Sequence, residues 1–102
     1  MPKAKLKLSW SPEAEADLLE IWHWGAGHFS IDIADKHLRD IHASALNLSD
    51  FPEIGQKRDD LARMLRSIVI YPTVLFYRIT GHSVEVVRVI DGRQNLAAIF
   101  RE

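Results

Sequence analysis

The chain contains more strand-forming apolar sequence than its helices can cover. Three runs rich in Ile, Val, Tyr and Phe follow one another: Met64–Tyr71, Thr73–Thr80 and Ser83–Ile90. Pro72 and the Gly81–His82 pair interrupt them, which predicts a three-stranded antiparallel meander. Both sides of such a sheet are largely apolar, and two helices can cover only one of them. We therefore expect an apolar strip on the sheet or its edge that a second polypeptide fills, unless residues 91–102 fold back over it.

The Gly81–His82 turn also predicts which residues of the last two strands lie opposite each other. Across a two-residue hairpin turn at this position, opposed residues have numbers that sum to 163. The resulting register contains a cross-strand ion pair and several apolar pairs, among them Arg78 with Glu85, Phe76 with Val87, and Tyr77 with Val86.

A strand and a capped helix precede the meander. Residues 5–10 alternate between lysines and apolar residues, which is typical of a half-buried strand. Ser11 can accept a hydrogen bond from a free amide of the first helical turn, and Pro12 lacks the amide that would stay unpaired there. The apolar spacing continues to about Trp24, and the glycines at 25 and 27 are expected to end this helix.

A second helix is predicted from Ser30 to Ser49, because apolar residues recur every three or four positions. Phe51–Pro52 ends it, since a residue that precedes proline is disfavoured in a helix. The short connection makes the two helices an antiparallel hairpin. We expect one α+β domain over residues 1–102, with the order β-α-α-β-β-β and a short C-terminal turn or helix within Leu96–Phe100.

Composition excludes several classes of function. The 102 residues include no cysteine, so disulfides and thiolate metal sites are impossible. The histidines are not spaced as metal ligands, and no phosphate-binding glycine loop or serine-nucleophile motif is present. No apolar run approaches the ~20 residues that cross a bilayer, and the N-terminus lacks a signal-peptide apolar stretch. We expect a cytoplasmic protein without metal, cofactor or membrane contact.

Charge is distributed unevenly along the chain. The net charge is −1, yet residues 11–50 hold eight acids against two bases, and residues 57–102 hold eight bases against five acids. Several arginines fall in or beside the predicted sheet, where they can meet an acidic partner or a phosphate backbone. Tyr71 and Tyr77 are explained by strand packing, and Phe100 carries no hydroxyl. The basic residues therefore predict binding without a catalytic residue.

These segments together resemble the ParE branch of the RelE/ParE toxin superfamily. The resemblance covers nearly the whole chain and rests on the order of four motifs: Ala14, Asp17, Leu18 and Ile21 in the first helix, Pro52 and Gly55 after the second, Phe76-Tyr77-Arg78, and Arg88-Val89-Ile90. It implies the fold derived above and the toxin of a type II toxin-antitoxin pair.

The resemblance further implies two protein partners. ParE-like toxins poison DNA gyrase, and a ParD-like antitoxin neutralises them in a hetero-oligomer. The disordered antitoxin tail is expected to fold onto the apolar strip and to pair its acids with arginines, while the C-terminal segment engages gyrase. No sequence-specific DNA binding by this chain is expected. The candidate partner-binding residues are Arg63, Arg66, Arg88, Arg93, Leu96, Ile99 and Phe100.

Two alternatives stay open. One is a RelE-like ribosome-dependent mRNA endoribonuclease, for which Arg93 falls near a basic position of that family. Val69 and the Ile99–Phe100 pair, however, stand near where an arginine and a catalytic tyrosine are expected. The other alternative is a toxin-fold interaction module without activity, because Asp91 replaces a histidine often found after the last strand of ParE-like toxins and makes that loop less basic.

Overall fold

A computed structural model describes residues 5–101 and shows an α+β architecture. The predicted β-α-α-β-β-β order is confirmed, and the structure adds a two-residue strand before the meander. None of the helices in the described range is long and apolar enough to span a membrane. The elements are β1 (Lys7–Trp10), α1 (Pro12–His28), α2 (Ile31–Asp50), β2 (Gln56–Lys57), β3 (Arg66–Ile70), β4 (Thr73–Thr80), β5 (Ser83–Asp91) and α3 (Leu96–Ile99).

Ser11 starts α1 as expected and also ties the helix to the sheet. Its hydroxyl oxygen accepts a hydrogen bond from the Ala14 amide at 3.0 Å and donates one to the Val87 carbonyl at 2.7 Å. Because β1 ends one residue earlier, this side chain fixes how the chain passes from strand to helix.

The predicted end of α1 at Trp24 was wrong. The helix continues through Gly25 to His28. Gly25 is the point where α1 approaches α2 closely. A β-carbon at Gly25 would lie 3.3 Å from the β-carbon of Ala34. The glycine therefore permits close helix packing rather than ending the helix. The second helix matches its prediction to within one residue at each end.

The five strands form one mixed sheet in the order β1-β5-β4-β3-β2. Strands β3, β4 and β5 pair antiparallel, as the turn residues predicted, whereas β1 lies parallel to β5. The parallel pair brings Lys7 opposite Ser83. At the other edge, β2 pairs with only two residues of β3, Arg66 and Ser67.

The predicted β4–β5 register is correct only near the turn. Arg78 faces Glu85 and Tyr77 faces Val86 as expected, but a β-bulge then shifts the pairing so that Phe76 lies opposite Arg88 instead of Val87. A bulge places one extra residue in one strand and leaves part of the backbone ladder unpaired.

Each side of the sheet is covered by a different part of the chain. The helices pack against one side through a cluster that includes Ile41, Leu48 and Leu75. The other side is centred on Phe76, which is fully buried beneath the segment 61–65 and the C-terminal turn. The expectation of an open apolar strip was therefore wrong around Phe76, because other segments of the chain cover it.

The loop after α2 is fastened to the sheet by Tyr77. The buried hydroxyl donates to the Pro52 carbonyl at 2.6 Å and accepts from the Gly55 amide at 2.9 Å. Burial raises the pKa of this phenol, so it stays protonated and can donate. A β-carbon at Gly55 would overlap the hydroxyl. The contacts of Tyr77 therefore explain the positions of Pro52 and Gly55 in the Pro-x-x-Gly motif.

We expect Tyr77→Phe to lower the free energy of unfolding by about 1–3 kcal/mol, because it leaves a buried amide and a carbonyl without partners. Urea denaturation measures the change. The matched control is Tyr71→Phe, since Tyr71 is 88% exposed and its hydroxyl contributes little. Equal losses in the two variants would contradict the role assigned to Tyr77.

Candidate partner-binding groove

An open groove of about 1070 Å³ lies between the tip of the helical hairpin and the end of the sheet where β3 turns into β4. Large apolar side chains line it and are more than half exposed: Trp24, Phe29 and Ile33 from the helices, and Val69 and Tyr71 from the sheet. Exposed apolar residues gathered along one concavity, unlike scattered ones, mark an interaction site.

Aromatic packing orders the helical side of the groove. The Trp24 ring stacks on the His28 ring with centroids 4.0 Å apart, and Phe29 meets Trp24 edge-on at 5.7 Å. His28 Nδ1 lies 2.9 Å from the Trp24 carbonyl oxygen, which holds the histidine ring in place. These contacts preorganise Trp24, so little side-chain entropy remains to be lost on binding.

An ion pair between Asp17 and Arg88 forms the inner wall of the groove. Asp17 accepts from Arg88 Nε at 2.7 Å and from Nη2 at 2.9 Å, and it also accepts from the Val89 amide at 3.0 Å. Asp17 is buried, and its hydrogen bonds raise the pKa of Arg88. The carboxylate thus serves backbone of β5 that lies beyond the residues paired with β1. Arg88, predicted to bind a partner, lines the groove and is held by Asp17.

His37 and Thr73 connect α2 to the sheet beside the groove. Thr73 Oγ1 donates to the Ile70 carbonyl at 2.9 Å and lies 3.3 Å from His37 Nε2. Because the threonine proton is used, Nε2 is assigned as the donor of that contact. Burial lowers the pKa of His37, and the nearby Asp40 carboxylate partly opposes this. The neutral imidazole is therefore favoured.

Arg93 lies near the groove mouth and is oriented by Asp91. The carboxylate accepts from Arg93 Nη2 at 2.7 Å, from Nε at 3.0 Å and from the Arg93 amide at 2.8 Å. These hydrogen bonds lower the pKa of Asp91 to about 2. The arginine side chain is otherwise 80% exposed, so the loop presents a fixed cation whose charge Asp91 partly cancels.

The remaining predicted residues lie away from the groove. Arg66 Nη1 donates to the Glu53 and Gly55 carbonyls at 3.0 and 2.9 Å, and Arg63 is exposed in the neighbouring loop. The C-terminal set packs on the chain itself, with the Phe100 ring 4.7 Å from that of Phe76. The residues predicted to form one binding site therefore lie in different places in the fold. Among them, the residues packed against the sheet are Leu96, Ile99 and Phe100.

Comparison with known proteins identifies the family. The model of the ParE toxin of the type II toxin-antitoxin system parDE matches residues 8–96. The chain belongs to the ParE toxin family. Toxin ParE3 of Caulobacter vibrioides is 38% identical over 68 residues, which span 67% of this chain and 68% of that protein. Toxin ParE1 of Mycobacterium tuberculosis is 32% identical over 87 residues, which span 84% and 89%.

A solved structure shows the same fold. It is described as the chromosomal ParDE TA system from P. aeruginosa, with a TM-score of 0.76 and 21% identity. The superposition covers 85% of this chain and 96% of the other. The ParE fold predicted from the order of the motifs is therefore confirmed.

The ParE groove residues that sequence reasoning missed are Phe29, Ile33 and Tyr71. Tyr71 was attributed to strand packing, but it lies in the turn after β3 and is exposed. Its position before Pro72 was the available signal, because proline cannot continue a central strand. Within residues 5–101, no group of three His, Asp or Glu side chains is placed to hold a metal ion.

We expect Asp17→Asn to reduce the free energy of unfolding of this ParE chain by about 3 kcal/mol, because it breaks a buried pair and leaves Arg88 uncompensated. Chemical denaturation provides the measurement. Asp40→Asn is the matched control: its pair with Lys36 at 3.0 Å is solvent-exposed and should contribute under about 0.5 kcal/mol. A loss for Asp17→Asn as small as that of the control contradicts the prediction.

Stability should also depend on His37 at mildly acidic pH. The folded-state pKa is lowered, so the unfolded chain binds a proton first. The contribution of neutral His37 is complete above the unfolded pKa of about 6.5 and is lost as the pH falls below it. Unfolding at pH 7.5 and 5.5 should show a smaller decrease in His37→Gln than in the wild type. His23→Gln, an exposed control, should behave as the wild type.

Proposed function

We propose that this chain is the toxin of a type II pair, that a ParD-like antitoxin neutralises it by occupying the groove, and that it inhibits DNA gyrase by binding. The observation that carries the antitoxin part is the groove itself, whose exposed aromatic residues stand on both sides of one concavity. The family membership of residues 8–96 supports the toxin assignment.

The groove suits an amphipathic peptide segment better than a small molecule. Its exposed apolar residues come from the helical hairpin on one side, with Trp24, and from the end of the sheet on the other, with Tyr71. Tryptophan and tyrosine contribute disproportionately to protein interfaces when they are buried at the centre. A segment that is disordered on its own buries enough apolar surface against both sides to offset the conformational entropy that it loses on binding.

Charged side chains at the groove mouth favour one orientation of a bound partner segment. Arg93 stands exposed at the end that follows β5, whereas the helical side carries Glu20 and an Asp40 that is paired with Lys36. A partner segment with a carboxylate at one end and apolar residues along its length matches this arrangement. Such polar contacts at the rim of an interface set orientation more than affinity.

Inhibition by binding rather than by catalysis is supported by the placement of the aromatic residues. Phe100 packs against Phe76 and brings no hydroxyl to the second side of the sheet. The hydroxyl of Tyr77 is used by Pro52 and Gly55. A nuclease that activates a 2′-hydroxyl needs a group that is free to move protons, and neither Phe100 nor Tyr77 supplies one.

A supercoiling assay with purified gyrase tests the target. We expect the toxin to reduce supercoiling in a dose-dependent manner and the candidate antitoxin from the adjacent reading frame to reverse the effect. Heat-denatured toxin is the control. Unimpaired supercoiling at large toxin excess would refute the gyrase proposal, and codon-spaced cleavage of translated mRNA would favour the RelE-like alternative.

The groove is tested separately by binding of the same antitoxin. Trp24→Ser and Tyr71→Ser should each weaken the complex by at least about 10-fold, since hot-spot truncations cost about 2 kcal/mol or more. Leu46→Ser is the matched control, because Leu46 is 59% exposed but does not line the groove. Calorimetry gives the affinities. Equal affinities for all three variants would place the antitoxin elsewhere.

A further inference from the structure

One charged side chain of the groove has no counterion within the described residues. The other acidic and basic side chains that line it form three ion pairs: Asp17 with Arg88, Asp40 with Lys36, and Asp91 with Arg93. Glu20 also lines the groove and is exposed, yet no cation of residues 5–101 lies within ion-pair distance of its carboxylate. Its negative charge is therefore available to a binding partner.

Glu20 lies on α1 between the ion pair of the inner wall and the aromatic tip of the hairpin. It follows Asp17 by three residues and precedes Trp24 by four, and side chains at these spacings are neighbours on a helix surface. Two acids at such a spacing repel each other, so helix stability does not favour an acid here. The hydrogen bonds of Asp17 are the main cause of the raised pKa of Arg88, and the carboxylate of Glu20 adds a smaller part. Glu20 thus stands near Arg88, which Asp17 already holds.

The indole ring of Trp24 presents an aromatic surface next to this carboxylate. His28, one turn further along α1, stacks on the indole with the two ring planes 14° apart. Glu20 precedes Trp24 by one turn, so along the helix axis it lies on the side of the indole opposite to His28. Trp24 remains 51% exposed. A carboxylate beside an exposed aromatic ring suits a planar cation, which can stack on the ring and pair with the acid.

Binding of a partner changes what Glu20 requires. A segment that covers the apolar side chains of the groove also removes water from the Glu20 carboxylate, and an ionised acid without water is costly unless a cation or several donors replace it. The cations that line the groove cannot supply this replacement, because each is held by an acid of its own: Lys36, Arg88 and Arg93. The counterion of Glu20 must therefore come from the partner.

We propose that Glu20 and the exposed indole of Trp24 form a subsite for an arginine side chain of the antitoxin segment. The guanidinium lies across the indole and donates hydrogen bonds to the Glu20 carboxylate. Arginine is chosen over lysine because only the planar guanidinium stacks and pairs at the same time. The inference rests on the proposed function, because it names one contact of the antitoxin in the groove. It places a basic residue of the antitoxin at the helical side and an acidic one toward Arg93.

Calorimetric affinities of Glu20 variants for the antitoxin from the adjacent reading frame test the subsite. We expect Glu20→Gln to weaken the complex at least about 10-fold, because the buried guanidinium loses its counterion. The Tm of the free variant should equal or exceed that of the wild type, since no ion pair is lost. Glu15→Gln is the matched control: Glu15 is an exposed acid of the same helix outside the groove. Its affinity should stay within about 2-fold of the wild type.

A second set of variants identifies the side chain that Glu20 meets. Each arginine and each lysine of the antitoxin is replaced in turn by glutamine and combined with Glu20→Gln in a double-mutant cycle. One arginine should couple to Glu20 by at least about 5-fold in affinity. Replacing that arginine by lysine should weaken binding to the wild-type toxin, because the stacking on Trp24 is lost.

The outcomes separate this inference from the proposed function. If Trp24→Ser and Tyr71→Ser bind as tightly as Leu46→Ser, the groove is not the antitoxin site, and the subsite fails with it. If those two variants weaken the complex but Glu20→Gln binds like Glu15→Gln, only the subsite is overturned. Coupling of Glu20 to a lysine alone, or to no basic residue, also overturns it. Coupling to one arginine that lysine cannot replace supports it.

Discussion

The buried carboxylate of Asp17 is the interaction on which the arrangement of this chain depends. Strand β1 pairs with β5 only as far as Val86, and the Val89 amide is satisfied from outside the sheet. Asp17 accepts from that amide and from two nitrogens of Arg88. A buried acid with so many donors is stable only if α1 lies in one position along the sheet. That position also sets how far the hairpin tip extends beyond the strands.

The extended tip explains why the proposed partner-binding surface differs from the one first expected. Fold-back of the segment around Leu65 and of the C-terminal turn closes the second side of the sheet over Phe76. The apolar surface that remains exposed lies where the tip residues Trp24 and Phe29 face the turn at Tyr71. The apolar surface that the chain leaves uncovered therefore lies at the end of the sheet rather than across its second side.

Local chemistry in the sequence predicted the elements, whereas contacts between distant residues decided the site. Ser11, Pro12 and the glycine turn act within a few residues, so the helix start and the meander could be derived. Gly25 could not be distinguished from a helix stop without its neighbour Ala34, and Arg88 could not be assigned to Asp17 without the packing of α1 on β5. An arginine in a sequence shows its charge but not whether that charge is already compensated.

The parallel pairing of β1 with β5 has a consequence for biosynthesis. Strand β1 is translated well before its hydrogen-bonding partner β5, and the Ser11–Val87 contact alone joins positions 76 residues apart. Contacts that distant form late, because all of the intervening polypeptide must exist before they can close. A nascent copy therefore lacks both the β1–β5 pair and the anchored first helix until β5 has been translated, which delays any activity that needs the complete fold.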